Sequence, residues 1–282
     1  MCLKPIGVDE YLHKCRKCPE CNMQRKNEWI FRIKQEMKEH SYAYFMTWTY
    51  NDKYLPTLLN KDTGEMYGTL RFKEMQEYWK RIRKYGYKPR YYVVGEYGSP
   101  EHTQRPHYHA IVFGVPKNVL IGTWSQYVGN TKENKPIFEP KGRVTADKVE
   151  HGSIRYVVKY MSKRIKNTPE GAEKPKASMS KGIGSEFINH TKDHYLVNVQ
   201  GTVYEEGGYK IRMPKYYENA IYGDNEEKKI HLEEERINFR QMKLLDMKRM
   251  SDEEAIEDYF SEKEKYKYLI HKENKTSKCN KL

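Results

Sequence analysis

Long apolar runs are missing from this chain. Nowhere in its 282 residues does one approach the roughly 20 residues that a membrane helix needs, and the mean hydropathy is −1.00. A transmembrane protein is excluded on that reading. Met1–Glu10 holds no long apolar segment either, so a secretory signal is not expected. Cysteine is scarce and odd in number, five in all, which argues against a disulfide framework. No helicase-type phosphate loop occurs, so strand unwinding is left to another protein. Acid is short relative to base: 39 Asp and Glu against 52 Lys and Arg leave a formal charge of +13. Such hydrophilicity fits a disordered chain, but disordered segments generally lack aromatics, and this sequence has 25 Tyr, 8 Phe and 4 Trp. What remains is a basic, tyrosine-rich globular protein. Its cations displace counterions from phosphates and its rings stack on unpaired bases, so the composition favours nucleic acid as a partner.

Breakers and periodicity divide the chain. Asn22–His40 carries Trp29, Ile30, Ile33 and Met37 in an approximate helical stripe. Tyr44–Tyr50, closed by Asn51-Asp52, reads as a strand. Phe72–Tyr85 repeats Met75, Tyr78, Trp79 and Ile82 at helical spacing and ends near Gly86. Arg90–Tyr97 and His107–Phe113 read as an antiparallel pair across a loop. Pro116–Val128 reads as a helix, Asn130–Pro140 as a loop, Ile154–Ile165 as a helix and Asn167–Gly184 as a mobile basic loop. Tyr195–Val203 and Tyr209–Met213 read as late strands, and the charge-dense chain from Gly223 as helix. The expected fold is α+β. The expected organisation is a cysteine-containing segment and helix over 1–40, a central domain over 41–222, and a charged helical appendage over 223–282.

Three clusters carry chemistry. His107-Tyr108-His109 sits on an expected strand, where alternate side chains share a face. The two imidazoles project together, about 7 Å apart along the chain, and a hairpin brings Glu96 beside them. Two imidazoles and a carboxylate hold a divalent cation and leave positions for water or a phosphate oxygen. Tyr156 and Tyr160 are one turn apart, so their phenols share a helix face, with Lys159 and Lys163 as a second row. Cys15, Cys18 and Cys21, two residues between neighbours, can converge on one metal. The alternatives there are zinc with a fourth ligand from His13 or Cys2, an iron–sulfur centre, or thiols without a metal.

The order Phe45-Met46-Thr47-Trp48-Thr49, Pro106-His107-Tyr108-His109, Tyr156-Val157-Val158-Lys159-Tyr160 resembles the HUH endonuclease superfamily. It is most similar to the two-tyrosine rolling-circle replication initiators of gokushovirus-type microviruses. The resemblance implies a five-stranded antiparallel sheet with the histidine motif on a central strand and the tyrosine helix beside it. It implies Mg²⁺- or Mn²⁺-dependent nicking of single-stranded origin DNA in the cytoplasm of a bacterial host, with a host polymerase and helicase as partners. His107, His109 and Glu96 would then hold the metal. Tyr156 or Tyr160 would form a 5′-phosphotyrosine supported by Lys159, and Arg105, Lys163 and Arg164 would contact DNA. Tyr108 is bulkier and more polar than the usual middle residue of the histidine motif. Competing readings are a non-catalytic single-strand binder, a transposase or relaxase of the same chemistry, and a zinc-binding regulator built on the cysteines.

Overall fold

The structure, a computed structural model, describes residues 6–8, 11–61, 64–98, 104–160, 168, 171–204, 208, 210–223 and 225–232. The chain forms two compact units, one of Arg32–Gly184, the other of Met1–Phe31 with Ser185–Leu282. Its helices are α1 (Pro19–Lys38), α2 (Phe72–Lys84), α3 (Lys117–Gly122), α4 (His151–Lys159), α5 (Glu186–Val197) and α6 (Lys215–Tyr222). None, among the described residues, is long and apolar enough to cross a membrane.

The unit of residues 32–184 is built on five strands, β1 (Ala43–Trp48), β2 (Arg90–Tyr97), β3 (Pro106–Phe113), β4 (Val144–Lys148) and β5 (Ala177–Met179). They pair antiparallel in the order β4-β1-β3-β2-β5. The histidine strand β3 is therefore central, and the α+β fold with a five-stranded sheet is the one the sequence resemblance implies.

Strand alternation gives the sheet two different faces. Trp48 of β1, Val93 and Tyr97 of β2, and Tyr108, Ala110 and Val112 of β3 join Met75, Tyr78, Trp79 and Ile82 of α2 in one core. Each such side chain contributes about 1.5–3 kcal/mol on leaving water. Trp79 stacks on Tyr91 with centroids 4.1 Å apart, and α2 ends as expected, at Gly86, whose φ of +87° suits glycine. The opposite face carries Phe45, Thr47, Glu96, His107 and His109. On that side α4 packs against β3 and buries Ile154, Val157 and Val158.

Tyr108 points into the α2 side. Its hydroxyl accepts the Arg71 N–H at 2.7 Å, at the start of α2, and its ring meets Phe72 edge-on at 5.4 Å. The polar middle residue thus has a buried partner where an aliphatic one would leave that N–H to another acceptor.

Four stretches differ from the sequence reading. Pro116–Val128 is helical only over α3; from Ser125 it becomes the first arm of a hairpin, Ser125–Asn130 with Pro136–Pro140, where a loop was expected. This hairpin exposes Tyr127 and Phe138, so no buried alternation marks it. Ala177–Met179, within the expected mobile loop, is the edge strand β5, held by pairing with β2 rather than by propensity. Tyr195–Val197 ends helix α5, and only Thr202–Tyr204 is strand. The Asn22–His40 helix is found as α1. The Ile154–Ile165 helix is found to Lys159, and residues 161–167 lie outside the described residues.

The second unit packs Tyr195 of α5, Tyr217, Ile221 and Tyr222 of α6, Val203, Met213 and Leu232 around Phe31. Thr202–Tyr204 pairs with Lys210–Arg212. Residues 226–232 are helical, and the remainder of the expected C-terminal appendage lies outside the described residues.

Candidate active site

Register assembles the site. Pairing of β2 with β3 sets Glu96 opposite His107, and pairing of β1 with β3 sets Thr47 opposite His109. Glu96 Oε2 lies 3.7 Å from His107 Nε2 and 3.9 Å from His109 Nε2. One donor atom from each of the three residues falls within 4.8 Å of the others. The rings are 4.9 Å apart, nearly perpendicular.

Both imidazoles are held from behind. His107 Nδ1 donates to the Arg105 carbonyl at 2.9 Å, and His109 Nδ1 bonds the Thr47 hydroxyl at 2.9 Å. With the Nδ1 positions so engaged, both Nε2 atoms face Glu96 as acceptors. That is how histidine ligands are usually oriented for a metal. Phe45 adds a face-to-face stack on His109, centroids 5.7 Å apart and planes at 9°. Thr47 and Phe45 were legible only as part of a motif. The signal for their role is their spacing of two, which puts both on the histidine face.

Helix α4 brings the phenols to the same place. It starts where the Glu150 N–H donates to Ser153 Oγ at 3.2 Å. Tyr156 lies within it and Tyr160 caps its C-terminus. Tyr156 Oη is 3.4 Å from His109 Nε2. The Tyr160 ring stacks on His109 at 6.1 Å, and the two tyrosine rings are 5.1 Å apart. The Lys159 ammonium is buried and lies 5.0 Å from the Tyr156 ring centre and 5.3 Å from that of Tyr160.

Burial, offset in part by a hydrogen bond from Tyr160, and the Glu96 carboxylate push the Tyr156 phenol above its ordinary range. Tyr160 is pushed up further, by burial first, then by the Glu96 charge and its hydrogen bond with Tyr156. An uncompensated Glu96 therefore works against either phenolate. The carboxylate and two outward Nε2 atoms fit a divalent cation, with coordination positions left for water or a phosphate oxygen.

The remaining assigned residues fall elsewhere. Arg105 donates twice to the Tyr50 carbonyl, at 3.1 and 2.9 Å, and pairs with Asp52 at 2.7 Å. Lys163 and Arg164 lie outside the described residues. Cys15, Cys18 and Cys21 come together in the other unit, their sulfurs within 4.8 Å of one another.

An antiparallel sheet carrying two histidines, a carboxylate and a helix with two tyrosines falls where the chain is similar to a family of replication proteins. Residues 43–165 match the model of the replication-associated protein ORF2 family, and this stretch holds every residue of the site just described. The chain is also similar to the "Replication-associated protein VP4" of Bdellovibrio phage phiMH2K, 25% identical over 250 residues, covering 85% of this chain and 76% of that protein. The resemblance to microvirus-type replication initiators thus stands on both comparisons. No solved structure matches the chain significantly.

Proposed function

We propose that this protein initiates rolling-circle replication by nicking and rejoining one DNA strand through a tyrosine. The observation that carries the reading is the meeting of the two phenols with the Glu96–His107–His109 cluster on the central strand. Similarity to a phage replication-associated protein supports the replication role.

A Mg²⁺ or Mn²⁺ ion held by Glu96, His107 and His109 supplies polarisation of the scissile phosphate and cancels the carboxylate charge that disfavours phenolate. The chain's residues do the rest. Tyr156 Oη or Tyr160 Oη loses its proton and attacks phosphorus; the P–O3′ bond breaks and the departing oxygen takes a proton, giving a 3′-hydroxyl. The 5′ end remains as a phosphotyrosine. One phosphodiester replaces another, so no nucleotide is consumed and the 3′-hydroxyl can reverse the step. Lys159, between the rings, stabilises the phenolate electrostatically. Two phenols allow one to retain an old 5′ end while the other cuts the regenerated origin. The freed 3′-hydroxyl primes a host polymerase, a host helicase opens the duplex, and both act inside the host bacterium.

The test is a covalent adduct. Protein, Mn²⁺ and single-stranded origin DNA are mixed, boiled in detergent and resolved by gel. Tyr156→Phe with Tyr160→Phe is expected to abolish the adduct. His107→Ala with His109→Ala is expected to lower nicking by at least about a hundredfold. DNA retardation on a native gel with no adduct from the wild-type protein would show a non-catalytic binder instead. Nicking undiminished in EDTA would refute the metal role.

A further inference from the structure

The Cys15–Cys21 turn lies outside the nicking chemistry. We propose that Cys15, Cys18 and Cys21 bind a structural zinc ion as thiolates. The three sulfurs lie within 4.8 Å of one another, and none is in a disulfide. Around tetrahedral zinc, with Zn–S of about 2.3 Å, sulfurs sit about 3.8 Å apart, so a small contraction closes the set on one ion. An iron–sulfur cluster gives each cysteine its own iron and spreads the sulfurs further.

The backbone is shaped around the first sulfur. The N–H groups of Lys17 and Cys18 both point at Cys15 Sγ, at 3.5 and 3.3 Å. A neutral thiol accepts hydrogen bonds poorly; a thiolate accepts them well. The turn that aims them runs through Arg16 at φ +58°, a left-handed conformation that disfavours a side chain.

The other two sulfurs sit at the start of α1. Cys18 precedes the helix and its carbonyl accepts the Asn22 N–H at 3.0 Å, which makes it the N-cap; Cys21 is in the first turn. The partial positive charge of a helix N-terminus favours thiolate over thiol. Both side chains are buried, at 3% and 8% exposure. Three buried or half-buried thiolates in contact repel one another unless a cation lies between them. Zinc takes one further ligand to complete its tetrahedron.

This site is independent of the nicking reading, and its test reads metal content. Full-length protein purified under reducing conditions, with no metal added, is expected to contain about one zinc per chain by mass spectrometry of the elements. His107→Ala with His109→Ala should keep that zinc, and Cys18→Ser should lower it at least about tenfold. Because the serine variant can unfold, the wild type is also loaded with Co²⁺, which should show thiolate-to-cobalt charge-transfer absorption. A thiol-modifying reagent should release zinc in step with modification of these three cysteines. Folded wild-type protein with neither zinc nor a cobalt–thiolate band overturns the assignment. So does stoichiometric iron with acid-labile sulfide, or zinc that survives in the Cys18→Ser protein but not in the histidine variant.

Discussion

Single atoms decide which residues this site tolerates. Gly95 precedes Glu96 and faces the α2 side of the sheet. A Cβ built there would lie 2.7 Å from Phe72 Cε2 and 3.0 Å from Leu70 Cδ2. Those atoms belong to buried side chains and cannot swing away, so Gly95→Ala is expected to destabilise the protein by about 1–3 kcal/mol. A urea midpoint unchanged from wild type would contradict the packing described. The orientation of the histidines also lives at this scale, and part of it was readable in advance. Spacing of two placed His107 and His109 on one face, and the hairpin placed Glu96 beside them. The Thr47–His109 bond was not readable, because it depends on the register between β1 and β3, which no local pattern encodes. Lys159 was assigned beside the phenols from helix spacing; that its ammonium is buried is a consequence of packing.

At the level of elements, β2 is tied to α1 by one buried carboxylate. Glu36 accepts two hydrogen bonds from the Arg90 guanidinium, one from the Gly184 N–H at 2.7 Å, and lies 2.8 Å from His40 Nε2. Burial alone would raise its pKa, but the bonds from Arg90, Gly184 and His40 outweigh that and hold it below 4.5. A depressed folded-state pKa stabilises the protein above the unfolded value, and the benefit is lost as pH falls through the folded value. Acid unfolding should therefore steepen below about pH 4.5. Glu36→Gln is expected to cost about 2–4 kcal/mol at pH 7 and to flatten that acid limb; chemical denaturation across the pH range measures both. The strands of this unit that were legible, β1, β2 and β3, are aromatic or β-branched runs between breakers. β5 was not, because Ala-Ser-Met has little strand character and becomes a strand by pairing with β2. Helix α5 was misread because Tyr195, Leu196 and Val197 favour strands locally but form its last turn.

Over the whole molecule, the dominant quantity is the charge of +13. On single strands the affinity slope against salt is about −0.7 per phosphate neutralised, so contact with roughly five phosphates weakens binding about a hundredfold between 50 and 200 mM salt. Fluorescence anisotropy with a labelled oligonucleotide should show that decline, and a flat response would mean that phosphate contacts contribute little. Charge was plain in the sequence; the division into a sheet unit and a second unit made from both ends of the chain was not. Phe31 shares a core with Tyr217, nearly two hundred positions away, and such closure is set by tertiary packing.

The strand from His107 to Val112 is one residue thick, with imidazoles on one side and the α2 core on the other. Evolution has no spare position along it. Odd-numbered sites answer to the reaction and its flanking rings, even-numbered ones to the hydrophobic layer behind. A drift in either layer is transmitted to its counterpart by the shared backbone.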